Sequence, residues 1–522
     1  MNTTLIRATP MDRRSERLFV GVALGLYGCL IAYGGFIHEP WRDESHAWLI
    51  VQMSRSLREL FANTVYEGHP SLWFLLLYAL KALGGTWTAA QVMHGLLATG
   101  AAYLLLRYAP FPRAVRLLLL FGYFLTYEYA VIARDYAVGI LLIFALCALF
   151  PRRHEPTGHL IWCGVLAVLC QTNVFALLVG CGLYGIIGLE LLLYRRANRF
   201  SYLRRHWPRY VLGLGIVSLG LTAALLTLLT PADGGYPNVV HPPITPRGFV
   251  FALQTFWGVL VPLPNTVEHF WNTNLLEQIP VSFVRNGLRV GLGLLLVAVV
   301  LVPWVRSRLA LAGWLLMVLA MQYVFFAQYM GAPRHHAHEL VGFVAVLWVQ
   351  PGLPDFRPYP TTFRTTPAYG LGLGILLVQI LMTGIAYWSD RQYLFTMNQS
   401  VAAFIRTSPV RSWFRAGVAD HCAEGVATYL PGHRMYYPES GSRDTFLRWT
   451  KQRRLLSVAQ VLDSIRPTGQ RPVLLVLNHA VPPDTARQMG LRLLRAFTGS
   501  IVWDEQYWLY QYPVEADAHA GR

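Results

Sequence analysis

Lysine is nearly missing from this chain: Lys81 and Lys451 are the two it has in 522 residues. Acidic residues are scarce too, 27 Asp and Glu against 44 Lys and Arg, so the formal net charge of +17 is carried almost wholly by arginine. Charged residues of both signs make up 14% of the sequence, 54% is hydrophobic, and the mean hydropathy is +0.39. So little polar surface excludes an ordinary soluble protein and requires a bilayer to solvate much of the chain. Arginine clusters beside apolar runs set membrane topology and meet anionic headgroups, so this basicity does not imply nucleic-acid binding. The six cysteines form no disulfide framework, because Cys29, Cys147, Cys163, Cys170 and Cys181 fall inside apolar stretches and Cys422 stands alone in the polar C-terminal region. No small-residue cleavage site follows the first apolar run, Leu18 to Ile37, which reads as a retained helix rather than a signal peptide. No internal repeat or low-complexity tract is present.

What is abundant is apolar sequence in spanning lengths. Eleven candidate membrane helices lie near 18–37, 88–107, 114–130, 134–150, 158–175, 176–193, 209–230, 287–305, 309–330, 337–351 and 368–388. With the N-terminus inside, the clusters Arg13-Arg14-Arg17, Arg107 to Arg116, Arg152-Arg153, Arg195 to Arg209, Arg306-Arg308 and Arg357 to Arg364 all fall on the cytoplasmic side. The segments 38–87, 128–136, 231–286 and 331–336, and everything after Asp390, then lie outside. Counting Leu72 to Leu83 as a span would break this charge pattern, so it is expected to lie along the outer membrane surface. Residues 391–522 change character, with strand-like runs at Arg434 to Tyr437, Val473 to Leu477 and Tyr507 to Tyr512, and helical patterns at Ser400 to Arg406 and Ser457 to Ile465. The expected organisation is a cytoplasmic segment 1–17, a membrane domain 18–390 with the external loop 38–87, and a small α/β domain 391–522 with the C-terminus outside.

The less ordinary residues collect on that outer side. Trp41-Arg42-Asp43-Glu44-Ser45-His46 follows the first span, and Tyr66-Glu67-Gly68-His69-Pro70 comes some twenty residues later. Adjacent side chains on a helix point about 100° apart, so at most one of Asp43 and Glu44 can face a common site. The pair equally suits a helix first turn, where carboxylates are favoured. Glu128, Arg134, Asp135 and Tyr136 fall between the third and fourth spans, where charges are costly unless paired or functional. Arg334, His335 and His336, followed by His338 and Glu339, concentrate cations before the tenth span. Their spacing fits no common zinc pattern, and a phosphate held by Arg334 through charge-assisted hydrogen bonds is the better reading.

The order Asp-Glu after the first span, x-Gly-His-Pro leading into an apolar surface helix, and an Ala-Arg-x-Tyr turn resembles the GT-C superfamily of membrane glycosyltransferases. These use polyprenyl-phosphate sugars, and they include protein O-mannosyltransferases and the aminoarabinose transferases that modify lipid A. The resemblance covers about residues 15 to 390 and departs from the common pattern at Ser71, where a second Pro is usual, and at Ile132, where a Glu is usual. It implies a GT-C-like polytopic helical fold in a bacterial plasma membrane and transfer of a sugar, with inversion, to an envelope lipid, glycan or protein on the non-cytoplasmic face. Asp43 would be the general base with Glu44 as its partner, and Arg134, Arg334, His335 and His336 would hold the donor phosphate. His69, Glu67, Tyr136, Glu128 and Asp135 would contact substrate. No cofactor follows, although Asp43, Glu44 and His69 also suit a divalent cation. The rival reading is a transporter or flippase of a lipid-linked saccharide, against which stand the missing inverted repeat and the gathering of polar residues on one face.

Overall fold

A computed structural model of the chain describes residues 13–193, 199–235, 244–443, 445–466 and 472–512, and the side chains of 199–206 are not among what it describes. Parts of the expected cytoplasmic segment (1–12), of the Arg195 to Arg209 cluster, of the outer segment 231–286 (236–243) and of the C-terminal domain (444, 467–471, 513–522) lie outside the described residues. Among the described residues, seven helices are long and apolar enough to cross a membrane: Arg13–Ile37, Trp87–Tyr108, Val174–Leu193, Trp207–Leu228, Ser282–Trp304, Arg308–Ala327 and Pro367–Gln392. With the composition, they make this an integral membrane protein. Shorter apolar helices at Tyr136–Leu149, Pro156–Leu169 and His338–Val349 pack among them.

Two of the expected spans are interrupted. The run 114–130 is a helix Arg113–Leu120 that breaks at Phe121 and resumes as a wide π turn, Phe124–Glu128. The break turns Thr126, Tyr127 and Glu128 inward, where the Thr126 hydroxyl donates to the Leu120 carbonyl at 2.7 Å and the Tyr127 hydroxyl donates to Asp390 at 2.7 Å. The run 287–305 widens into a π turn over Val297–Leu301 just before Pro303, which lacks an N–H and cannot continue the regular ladder.

The loops expected outside are themselves helical. Residues 38–87 hold helices Arg42–Met53, Leu57–Thr64 and Leu72–Ala82. The last has 11 residues, a rise of about 16 Å and too short for a ~30 Å hydrocarbon core. It buries Trp73, Phe74 and Leu77 in one cluster with Ala47 to Val51 of the first. The helix Pro246–Leu260 is unforeseen in the loop 231–286. Thr245 caps it, accepting from the Gly248 N–H at 3.2 Å, and Pro246 begins it, but buried Gln254 and Thr255 interrupt its apolar run.

The C-terminal part is an α/β unit with a six-stranded mixed sheet: β1 (Phe414–Gly417), β2 (Tyr436–Tyr437), β3 (Ser442–Arg443), β4 (Val473–Leu477), β5 (Arg492–Phe497) and β6 (Tyr507–Tyr512), in the order β3-β2-β1-β4-β6-β5. β1 runs parallel to β2 and β4, while β6 is antiparallel to β4 and β5. The central β4 is buried on both faces, so it reads as an unbroken apolar run. Its Leu474 and Val476 pack with Val401, Ile405 and Val426 on one face, and Val473, Leu475 and Leu477 pack with Val461 and Ile465 on the other. β1, β3 and β5 escaped the sequence reading because they are short or carry arginine on an exposed edge.

Two membrane helices meet through glycines. A Cβ on Gly182 would come 2.2 Å from Met317, and one on Gly313 would come 2.2 Å from Ile186. Such close backbone approach is the common means of joining helices in lipid. Gly313→Ala is therefore expected to cost about 1–3 kcal/mol through overpacking. A lower Tm in detergent checks this, and an unchanged Tm would mean that the two helices have slack.

Candidate active site

Asp43, His46 and Ala47 share one face of the Arg42–Met53 helix, and that face forms a wall of a cavity of about 310 Å³. Glu67, His69 and Pro70 come from the turn before Leu72–Ala82, Trp73 and Phe74 from that helix, Arg134 and Asp135 from the turn before Tyr136–Leu149, and Arg334 from the turn before His338–Val349. The last wall belongs to the sheet domain, as His421, Glu424, Leu447 and Trp449. Sequence reasoning missed this wall. The left-handed Ala419 (φ 54°) bends the chain sharply after β1, so that the first turn of the Asp420–Thr428 helix presents His421 and Glu424 to the cavity. A polar Asp-His-Cys-x-Glu run in that helix was the available signal.

Two guanidiniums converge on one carboxylate. Arg134 donates from Nη1 to Asp43 Oδ2, and Arg334 Nη2 lies 3.6 Å from the same oxygen. Burial alone would push the Asp43 carboxyl up, but Arg134, Arg334 and Arg42 outweigh it and hold it at about 2. Arg334 lies over the rings of Trp41 and Trp271, 4.9 and 5.4 Å from their centroids, and its backbone carbonyl accepts from the Tyr129 hydroxyl at 2.5 Å. Its Nε and Nη1 are buried and donate to nothing among the described residues. Asp135 also lines the cavity, and neither of its buried oxygens accepts a hydrogen bond from a described group, although Arg134 Nε lies 4.0 Å from Oδ1.

Several sequence-named residues stand behind this surface. Glu44 is fully buried on the far side of its helix, where it accepts from the Ala133 N–H at 2.7 Å, from the Trp41 N–H at 3.2 Å and from His38 at 3.1 Å. Burial would lower His38, but Glu44 and Asp390, 3.1 Å away on its other nitrogen, raise it to about 10. Glu44 thus ties the helix start to the 133 turn, and the expectation that it works beside Asp43 gives way to this structural place. His335 and His336 likewise do not reach the cavity. His335 Nδ1 accepts from the Ala332 N–H at 2.8 Å, so its Nε2 carries the proton and donates to Tyr136 Oη at 2.9 Å. His336 Nε2 donates to the Met330 carbonyl at 2.8 Å, and burial pushes this imidazole down to about 4. Both histidines are uncharged braces of the turn that carries Arg334, and Tyr136 works with them. Glu128 accepts from Tyr123 at 2.7 Å and from Trp271 Nε1 at 3.1 Å, so it steadies the ring under Arg334 from outside the cavity.

The suggested cation site fits poorly. Asp43 and His69 line the cavity but Glu44 does not, and two guanidiniums already balance Asp43. Among the described residues, His421, Cys422 and Asp504 offer ligand atoms within 4.8 Å of one another. The Arg42 guanidinium already fills that role as cation, 2.8 Å from Asp504 and 3.7 Å from the Cys422 sulfur.

His46 joins the two halves of the site. Its Nε2 lies 2.9 Å from Glu67 and its Nδ1 2.9 Å from Glu424 of the sheet domain. Burial would lower its pKa, but Glu424 and Glu67 raise it well above the ordinary 6.5, so it is an imidazolium between two carboxylates.

No protein-family model matches the chain, and no curated protein matches it in sequence. Two solved structures are similar to it along nearly its whole length, both of ArnT from Cupriavidus metallidurans. The structure bound to undecaprenyl phosphate is 15% identical with a TM-score of 0.42, and the apo structure is 16% identical with a TM-score of 0.46. Each comparison covers 94% of this chain and 97% of the other. At such identities and scores the likeness is one of general course, and the reading of the site rests on its own geometry.

Because the folded pKa of His46 is raised, its contribution to stability is full below about 6.5 and is lost as pH rises through the folded value. The Tm deficit of Glu424→Gln relative to the native protein is therefore expected to be largest at about pH 6 to 6.5 and to shrink as the medium becomes alkaline. A deficit constant with pH would rule out a charged His46.

Proposed function

We propose that this protein transfers a sugar from a polyprenyl-phosphate donor to an acceptor of the cell envelope, lipid, glycan or protein, on the non-cytoplasmic face of the membrane. The observation that carries this reading is Arg334: a buried guanidinium, packed against two indole rings, with Nε and Nη1 undonated among the described residues beside a second arginine in the same cavity. Buried donors left unmade are costly, and a phosphate supplies the acceptors they need. Arg134 and Arg334 would bind the donor phosphate and stabilise the charge that develops on it as the anomeric bond breaks. The acceptor oxygen bonds to the anomeric carbon from the opposite side, polyprenyl phosphate leaves with the bonding electrons, and the acceptor's proton passes to a base.

In this scheme Asp43 is the internal stand-in for the phosphate. It keeps the two guanidiniums aligned before the donor arrives and is displaced from them afterwards. The resemblance also offers it as base, but a carboxylate held at about 2 accepts a proton poorly near neutral pH. Asp135 and Asn272 remain to contact sugar hydroxyls, and the sheet-domain wall, with Trp449 and His421, suits the acceptor side of the cavity.

The test is transfer of radiolabelled sugar from polyprenyl-phosphate donors to envelope fractions, in membranes holding equal amounts of native protein and Arg334→Ala. Loss of a preorganised donor to developing charge is expected to slow transfer by about 10²–10³-fold. Transfer by Arg334→Ala at the native rate would sink the phosphate assignment. Native membranes that transfer nothing from any donor would sink the transferase reading.

A further inference from the structure

Transfer to a hydroxyl requires a lone pair near the acceptor, and most candidates in this cavity have theirs committed. Asp43 is bound by two guanidiniums. Glu424 and the Oε2 of Glu67 are spent on His46, which as an imidazolium has no lone pair to offer, and Glu67 Oε1 accepts from no described group but is buried. His421 Nδ1 accepts from Arg453 at 3.2 Å, which leaves the proton on its Nε2. Asp135 accepts no hydrogen bond from a described group, but both its oxygens are buried and it lies beside Arg134, part of the phosphate clamp itself.

His69 differs from all of these. Its Nδ1 lies 2.6 Å from the carbonyl oxygen of Glu67, and a carbonyl can only accept, so Nδ1 carries the proton. Nε2 is left as a lone pair on an imidazole that lines the cavity, and no described group bonds to it. The local sequence builds this arrangement. Gly68 adopts φ +63°, a left-handed conformation that folds His69 back onto the carbonyl two residues earlier, and nothing crowds the position where a Cβ would stand. Pro70 then stiffens the chain into the Leu72–Ala82 helix, whose Trp73 and Phe74 are anchored in the hydrophobic cluster beneath. The Glu-Gly-His-Pro turn therefore presents one ring nitrogen, in one tautomer, to the cavity.

We propose that His69 is the catalytic base: its Nε2 removes the proton of the acceptor hydroxyl as that oxygen bonds to the anomeric carbon and the carbon–phosphate oxygen bond breaks. The proton ends on Nε2, the positive imidazolium is steadied by the Glu67 carbonyl, and polyprenyl phosphate departs as the anion. This assignment rests on the glycosyl-transfer reading above and adds to it the identity of the proton acceptor, which the motif resemblance gives to Asp43.

The experiment compares full-length native protein, His69→Gln and His69→Ala for two quantities: the rate of sugar transfer at saturating donor, and the affinity for polyprenyl phosphate in detergent micelles. A base is expected to leave phosphate affinity within about 2-fold of native while the rate falls about 10²–10⁴-fold, and added imidazole should restore part of the rate to His69→Ala but none to His69→Gln. Retained phosphate binding in the variants shows that they are folded. Native-like transfer by either variant overturns the proposal, and so does a loss confined to phosphate affinity, which would make His69 a donor ligand. Native protein that binds polyprenyl phosphate but transfers no sugar overturns the transferase reading, and the base assignment falls with it.

Discussion

The meeting of Arg134 and Arg334 at Asp43 is the constraint on which the site depends. Each of the three comes from a different link between helices, after Arg13–Ile37, before Tyr136–Leu149 and before His338–Val349. Two cations this close, in so dry a place, repel one another and are tolerable only with an anion between them. Much of the surrounding structure serves that meeting. Trp41 and Trp271, packed edge to face, form the aromatic surface under Arg334, Glu128 holds Trp271, and Tyr129 and the His335–Tyr136 pair fix the turn that carries it. Glu44 pins the start of the Asp43 helix to the backbone beside Arg134. A cationic site balanced by its own carboxylate is stable when empty and receptive to an anionic ligand that can replace that carboxylate.

The sheet domain is part of the same construction. Arg42, next to Asp43, pairs with Asp504 and Glu505, and the Glu39 carboxylate accepts from the Gln399 N–H at 2.7 Å. With His46 between Glu67 and Glu424, these contacts seat the Asp420–Thr428 helix against the Arg42–Met53 helix. The cavity is thus closed by a domain that follows the last membrane helix by sequence and stands beside the first by contact. The sheet-domain wall and the Arg134–Arg334 wall are thus tied through a single helix, whose first two turns carry Arg42, Asp43 and His46.

The elements most legible in the sequence were those whose pattern is local. Long apolar runs became helices close to the expected bounds, and Val473–Leu477 and Tyr507–Tyr512 are strands where their apolar and aromatic runs placed them. The spans 114–130 and 287–305 were less legible, because a π turn leaves no mark in hydropathy and depends on partners such as Asp390, which lies more than two hundred residues from Tyr127. The helix Pro246–Leu260 was hidden because its buried Gln254 and Thr255 look polar in sequence while packing inward in the fold.

Within the site, the division follows the same rule. Composition, apolar runs and short motifs were enough to mark a membrane protein and to single out Asp43, His69, Arg134, Asp135 and Arg334, which all line the cavity, since charge in an apolar setting is conspicuous wherever it stands. Which of those residues share a surface was decided by tertiary structure. Helical geometry separates Asp43 from Glu44, and hydrogen bonds to distant backbone turn His335 and His336 into supports. The wall made by His421, Glu424 and Trp449 exists because a domain some four hundred residues along the chain folds back on the first loop. A sequence records the residue types that can hold a proton or a charge, but the neighbours that commit or free those groups arrive through long-range packing, which leaves no local trace.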